Sequence, residues 1–367
     1  MLVTRVSLRD FRCYTSADVA IGPGLTIVHG RNAAGKTNLL EAIYLGCTAR
    51  SCRTANDREL VRFGERVTRV ELAARDDAGE HVISVGLEPG ERRQVHADGV
   101  AVDRLLDVAT RPLACVFLPD RLELVKGAPS LRRGHIDQVV AALWPARAET
   151  RRAYGRALAQ RNALLPRIRA GRAAADSLRG WDAELARHGV ALIADRGRAT
   201  DELAPRFAAL ASELGLGPDA LLAYRPRSRA TTADELAGEL AERTDGDVER
   251  GFTGHGPHRD DLVLTHNGRE LRVYGSQGQQ RLALLSLLLA ERGAIAATRG
   301  FAPLMLLDDV MSELDPDRRE RLVALLAAGG QSVITTTDLD HVPATGAIEV
   351  TRVAVSDGAI LQEAAAA

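Results

Sequence analysis

The sequence predicts an α/β fold: one strand-rich unit divided in two by a helical insert. Three observations predict it. Short alternating or apolar runs bounded by turn residues occupy residues 1–120 and return in 251–367. Between them, residues 121–250 are dominated by Ala, Arg, Leu and Glu, and strand signals vanish. A glycine-bearing turn at Gly30–Thr37 joins an apolar strand pattern to a helical one.

In chain order, MLVTRVSLRDF alternates like a strand, TIVHG (Thr26–Gly30) is a strand ending in glycine, and LLEAIYLG (Leu39–Gly46) is helical. Val67–Leu87 reads as a hairpin with its turn near Asp77–Gly79, and Arg93–Asp103 places an Asp-Gly turn between alternating runs. The insert reads as four or five helices, with no heptad run long enough for an extended coiled coil. After Gly251, DLVLTHNGRELRVYGS holds an Asn-Gly turn between two alternating runs. An apolar helix opening at Ser276, the strand APLMLLDD, a helix from about Pro316 and the strand SVITTTD complete the layout. Only the alanine tail is of low complexity.

The 367 residues are 46% apolar, enough for a packed core, and a net charge of −1 gives no global field toward nucleic acid or membrane. Any basic surface is local: residues 121–172 hold 12 Lys or Arg against 3 Asp or Glu. Arg132, Arg133, Arg151, Arg152 and Arg156 are candidates to track DNA phosphates, or else form a solvated helical face. No base-reading motif accompanies them, so binding is expected to be weakly sequence-specific and salt-dependent. Cys13, Cys47, Cys52 and Cys115 make no C-x-x-C pair, no signal peptide is visible, and apolar runs fall short of the roughly 18 residues of a membrane helix. A cytoplasmic protein with reduced thiols and no membrane association is expected.

GRNAAGKT fits G-x-x-x-x-G-K-[ST]: Gly30, Arg31, Asn32, Ala33, Ala34 and Gly35 form the turn, Lys36 and Thr37 open the helix, and Asn38 follows. Glycines let backbone N–H groups converge on phosphate oxygens, and the helix N-terminus adds unpaired donors and a positive dipole end. Lys36 is placed to reach the β- and γ-phosphates of a nucleotide, and the Thr37 hydroxyl to ligate Mg²⁺. Lys36 and Lys126 are the only lysines among many arginines, so background composition did not put a lysine there. The bland alternative is a glycine-rich strand-to-helix turn.

In PLMLLDDVMSELD (Pro303–Asp315), four apolar residues lead into Asp308 and Asp309. An acid closing a buried strand can hold Mg²⁺ beside phosphates, the expected role of Asp308. Its neighbour Asp309 can act as general base toward water. Read alone, the pair is equally an acidic cap before a helix. SQGQQ (Ser276–Gln280) opens an apolar helix, and by itself is a helix N-cap with solvated glutamines.

The order of phosphate loop, helical insert, serine-glycine-glutamine run and paired acids resembles the ATP-binding-cassette ATPases. SLRDFRCY, GRNAAGKTNLLEAIY, VFLPDRLELVKGAPSLRRGHID, GPHRDDL, YGSQGQQR, LLDDVMSELD and a strand ending TTTD together resemble the RecF family of bacterial recombination-repair ATPases, over about residues 5–340. The resemblance implies an ABC-type head related to Rad50 and SMC heads, formed by 1–120 and 251–367, with 121–250 as a helical lobe. It implies that Ser276, Gly278 and Gln279 contact the γ-phosphate held by a second copy, that Ser312–Asp315 face that copy, and that Arg12 reaches the nucleotide. It implies ATP-dependent homodimerisation, binding of single- and double-stranded DNA, and slow DNA-dependent ATP hydrolysis used as a switch. It further implies work with RecR, and with RecO through it, to direct RecA to gapped DNA, and links to replication-fork maintenance and SOS induction.

The sequence departs from the transporter form of the pattern. Gln277 stands where a glycine is usual, and Asp309 where glutamate is. No histidine directly follows SVITTT, His341 lying several residues downstream, and no Q-loop glutamine is placed. GHGPHRDDL (Gly254–Leu262) carries two histidines and two aspartates, conceivable as metal ligands, but the resemblance implies a structural or DNA-facing loop without metal. Two other functions share the nucleotide site: a transporter ATPase subunit, and a scaffold that uses nucleotide only to fold.

Overall fold

Parallel strands buried on both faces read as continuous apolar runs, and such runs form the centre of one sheet here. The computed structural model describes residues 1–343 and 349–362; the alanine tail lies outside them. The chain divides into two units, the first comprising 1–121, 213–215 and 291–367, the second 122–212 and 216–290.

The first unit contains β1 (Leu2–Phe11), β2 (Tyr14–Ala20), β3 (Leu25–His29), α1 (Lys36–Thr48), β4 (Thr68–Asp76), β5 (Gly79–Leu87), β6 (Gln94–Ala97), β7 (Val100–Ala101) and β8 (Ala114–Phe117). The second contains α2 (Glu123–Lys126), α3 (Pro129–Leu143), α4 (Ala148–Arg169), α5 (Arg179–Glu213), β9 (Ala220–Arg225), α6 (Ala233–Ala241), α7 (Thr244–Arg250), β10 (Asp261–His266), β11 (Arg269–Glu270) and α8 (Leu271–Tyr274). Then α9 (Gln277–Arg299) crosses the division, and β12 (Leu304–Leu307), α10 (Pro316–Ala328), β13 (Ser332–Thr336), β14 (Val350–Ser356) and β15 (Ala359–Gln362) complete the first unit.

In the first unit, one six-stranded sheet is antiparallel, ordered β2-β1-β4-β5-β6-β7. The other is ordered β15-β14-β3-β13-β12-β8, parallel except for its β14–β15 edge. Helix α1 packs against strands of both. Its Leu39, Leu40, Ile43 and Leu45 are fully buried in a core shared with Val6, Leu72, Val85 and Leu306. Full burial of each such side chain contributes about 1.5–3 kcal/mol. The Gln331 side chain closes the far end of this core: its Oε1 accepts from Val3 N, and its Nε2 donates to Val3 O and Gly22 O.

The second unit is helical but holds a three-stranded sheet ordered β11-β10-β9. Strand β9 lies where no strand was expected. Its segment ALLAYR has no β-branched residue and reads as helix; antiparallel pairing along the whole of β10 overrides that preference. The Asn267–Gly268 turn forms as expected, but its second arm pairs for only two residues before the chain turns into α8. The expected boundary at 251 also shifts: the strands after it and the start of α9 fall in the second unit, and the division lies at 290/291.

Buried ion pairs hold the second unit together. Arg161 is fully buried against Asp182 (2.6 Å), Asp247 (2.7 Å) and the Thr253 hydroxyl (2.8 Å). Arg196 forks onto both oxygens of Asp137. The side chains of GHGPHRDDL have protein partners of their own. His255 meets Glu239, and His258 meets Tyr154 OH and Thr253 O. Asp260 accepts from Tyr224 and Arg227 N, and Asp261 takes Arg132 through both oxygens. The motif is a clasp between helices and sheet of this unit.

Candidate nucleotide site

Strand β3 ends between β13 and β14, and the chain leaves it through the predicted phosphate loop. Two glycines make that exit possible. A Cβ on Gly30 would lie 2.1 Å from Val355 O. Gly35 caps α1 at φ 118°, and a Cβ there would meet Tyr14 OH at 2.8 Å and Cys13 Sγ at 2.9 Å. Tyr14 OH donates to Gly35 O at 2.9 Å, so β2 braces the loop from outside the motif. Arg31, Asn32 and Ala33 are exposed at the rim, and Ala34, Gly35 and Lys36 are buried. Asn38 is held by Cys13 and Arg53.

Lys36 curls back over the loop, its Nζ donating to Gly30 O (2.8 Å) and Arg31 O (3.0 Å). Burial pushes its pKa down, and the carboxylates of Asp309 and Asp308 oppose that shift. The Thr37 hydroxyl lies 3.0 and 2.8 Å from the two oxygens of Asp308. A hydroxyl and a carboxylate converging in this way are the hard oxygen donors that Mg²⁺ takes, so the residues present fit that ion.

Thr335, near the end of β13, organises the acids. Its hydroxyl donates to Asp308 Oδ1 at 2.7 Å and accepts from Asp309 N at 2.9 Å. Asp309 adopts φ 47°, a left-handed conformation that aspartate tolerates better than most residues. This breaks the strand alternation, and Asp309 Oδ1 ends buried without a hydrogen-bond partner among the described residues.

The structure thus brings Gly30–Asn38, Asp308 and Asp309 into one site of the first unit. Ser276, Gly278 and Gln279 belong to the second unit, where they open α9. Ser276 Oγ accepts from Gln279 N at 3.3 Å, and Gln279 Oε1 accepts from Ser276 N at 2.9 Å, a reciprocal cap. Gln280 is buried and donates to Leu271 O. Gly278 is exposed, and a Cβ there would meet nothing closer than Ser276 Oγ at 4.0 Å. The chain's own packing therefore does not require glycine at 278.

Several expectations change. Arg12 does not point freely toward a nucleotide: its Nε and Nη2 both donate to the buried Glu41 at 2.9 Å. Met311–Glu313 forms a tight turn, and Asp315 caps α10 by accepting from Arg318 N at 2.9 Å, so only part of Ser312–Asp315 is free loop. Arg132 is removed from the DNA candidates, because it is buried and bound to Asp261 and to the carbonyls of Val125 and Gly127. Arg133 is half-buried and donates to Asp260 O. Arg151, Arg152 and Arg156 lie on α4 in ion pairs with Asp137 and Glu149. Sequence reasoning missed Thr335, Tyr14 and Glu41. The signal for Thr335 is a hydroxyl at the end of the parallel strand beside the paired acids.

Known proteins resemble this chain over nearly its whole length. The RecF/RecN/SMC N-terminal domain family matches residues 2–359. A DNA replication and repair protein RecF of Anaeromyxobacter sp. (strain Fw109-5) is 40% identical over 353 residues, covering 92% of this chain and 93% of its own. The solved structure of the recombination mediator RecF with ATP, from the RecFOR pathway, superposes with a TM-score of 0.87 at 28% identity, covering 99% of this chain and 98% of that one. An SMC head bound to the winged-helix domain of ScpA superposes at 0.60 with 16% identity, a likeness of fold. The chain belongs to the RecF family of DNA replication and repair proteins, an α/β, ABC-type head fold with an inserted helical lobe.

Proposed function

We propose that this chain is an ATP-driven DNA clamp of replication and recombinational repair. The observation that carries it is the convergence of Thr37, Asp308 and Thr335 beside Lys36, with an Asp309 oxygen left unpartnered. Gly30–Asn38 would cradle the phosphates, Lys36 would neutralise them, and Thr37 and Asp308 would hold Mg²⁺. Bound ATP and Mg²⁺ supply the phosphoanhydride and the divalent charge. Asp309 orients water and takes its proton; as the shorter acid it sits farther from that water than glutamate would, consistent with slow, switch-like hydrolysis. Ser276, Gly278 and Gln279 would meet the nucleotide of a second copy, which explains an exposed glycine that internal packing does not need. Arg133, Arg151, Arg152 and Arg156 are the remaining candidates for DNA phosphates.

The closed dimer would hold DNA, single- or double-stranded and with little sequence preference, and hydrolysis would release it. RecR, with RecO through it, would couple the clamp to loading of RecA at gaps, to fork maintenance and to SOS induction. Its place is the cytoplasm; no helix among the described residues is long and apolar enough to cross a membrane. Light scattering with and without ATP–Mg²⁺ and duplex DNA tests the central step. Wild type should double its mass, Lys36→Met and Ser276→Arg should remain monomeric, and Asp309→Asn should trap the dimer. A wild type that stays monomeric throughout, or a Lys36→Met variant that dimerises normally with ATP, sinks the proposal.

A further inference from the structure

In the second unit, a cavity of about 590 Å³ is lined by Arg227, Arg243, Arg250 and Arg259 with Phe252 and His255. Four guanidinium groups in one cavity demand an account of their counter-charges. Asp247 is fully buried and already shared by Arg161, Arg250 and Gly254 N. Glu239 receives His255, and Glu242 lies 3.4 Å from Arg243. Arg227 and Arg259 have no carboxylate partner among the described residues. The cavity carries more positive charge than its acids offset.

Its aromatic member narrows the ligand. Phe252 is 43% exposed, and the Arg259 guanidinium lies 5.3 Å from its ring centroid. Arg259 covers part of the ring, and the rest of it stays open among the arginines. Guanidinium groups satisfy phosphates, and an exposed ring backed by a cation offers a face to a base. Base pairs in a duplex are stacked on both faces and present none. An acidic peptide would satisfy the arginines and leave the ring unused.

We propose that this cavity binds unpaired nucleic acid, with Arg227 and Arg243 on successive phosphates and Phe252 against a base. The proposal rests on reading the chain as a DNA-binding protein and adds a strand-selective site away from the phosphate loop.

The test uses the full chain without nucleotide, with fluorescence anisotropy of a labelled oligothymidylate and of a blunt duplex. The double variant Arg227→Ser with Arg243→Ser should weaken oligothymidylate binding at least about tenfold and lower the slope of log K against log[salt] by about 0.7 for each contact removed. Phe252→Ala should weaken it roughly tenfold, as expected for one lost stacking contact, with little change in slope. Duplex binding should change less than about twofold in both variants. Folded variants, with wild-type circular dichroism melts, that bind oligothymidylate normally would overturn the proposal. So would equal losses for both DNA forms, or displacement of the strand by polyglutamate with Phe252→Ala silent. ATP-dependent mass doubling is followed on the same preparations. Its failure in wild type counts against the clamp and leaves the strand measurement to judge the cavity.

Discussion

Thr335→Val replaces a hydroxyl by a methyl of nearly equal size at a fully buried position. Volume is conserved, so the cost is that of two hydrogen bonds. The bond to Asp308 Oδ1 (2.7 Å) ends on a carboxylate, a class worth about 1.5–3 kcal/mol. Losing the bond from Asp309 N (2.9 Å) leaves a buried amide unpaired, at about 1–3 kcal/mol. The two losses share one oxygen and overlap, so a total near 2–5 kcal/mol is expected. At about 2–4 °C per kcal/mol for a unit of this size, unfolding should fall by roughly 5–15 °C. Scanning calorimetry should follow the transition that ATP–Mg²⁺ moves upward, since ligand binding marks the unit that holds the site. Thr335→Ser keeps the hydroxyl and should lose less than half as much. Mg²⁺-dependent ATP binding should weaken in the valine variant as Asp308 loses its brace. If valine melts with wild type and binds ATP–Mg²⁺ equally well, Thr335 does not organise the acids.

Gly278→Ala meets no neighbour closer than 4.0 Å, so stability should stay within about 0.5 kcal/mol of wild type, while ATP-dependent dimerisation is lost; light scattering beside a thermal melt separates the two. Arg161→Met leaves Asp247 and Asp182 facing an apolar chain and should cost about 3–5 kcal/mol in urea unfolding, the larger part from the fully buried Asp247. Burial lowers the pKa of His258 from 6.5 to about 4. The unfolded chain then binds the extra proton first as pH falls, so stability contributed by His258 is present above about pH 6.5 and lost progressively toward pH 4, by about 3 kcal/mol in all. Melts between pH 7 and 4 should show that slope, and His258→Gln should flatten it.

Sequence reading found most of this fold because its elements have local causes. Alternation marked β4 and β5, Asp-Gly and Asn-Gly marked the turns, and an unbroken apolar run marked β12. The phosphate loop was legible because chemistry fixes its residue types at fixed spacing. What escaped was non-local. Strand β9 exists because β10 pairs with it, against the preference of its own Ala and Leu residues. Thr335 and Tyr14 act on the site through contacts with residues remote in sequence, and neither type in isolation announces that role. Arg132 illustrates the opposite error. In an arginine-rich stretch the residue looked like surface charge, but Asp261, distant in sequence, draws it inside.

The phosphate loop follows the third strand of the chain, yet β3 lies between β13 and β14, and Gly30 lies against Val355 O. Val3 is likewise tied to Gln331. A ribosome therefore makes the nucleotide loop early and the walls that hold it last. Until Val355 has emerged, the strand that leads into Gly30–Thr37 lacks its β14 flank, and the nascent chain presents no finished nucleotide site. Between those two moments the whole helical unit is synthesised, with ion pairs such as Arg161–Asp247 complete within itself. The order of translation thus completes the surroundings of the loop only after the helical unit has been made.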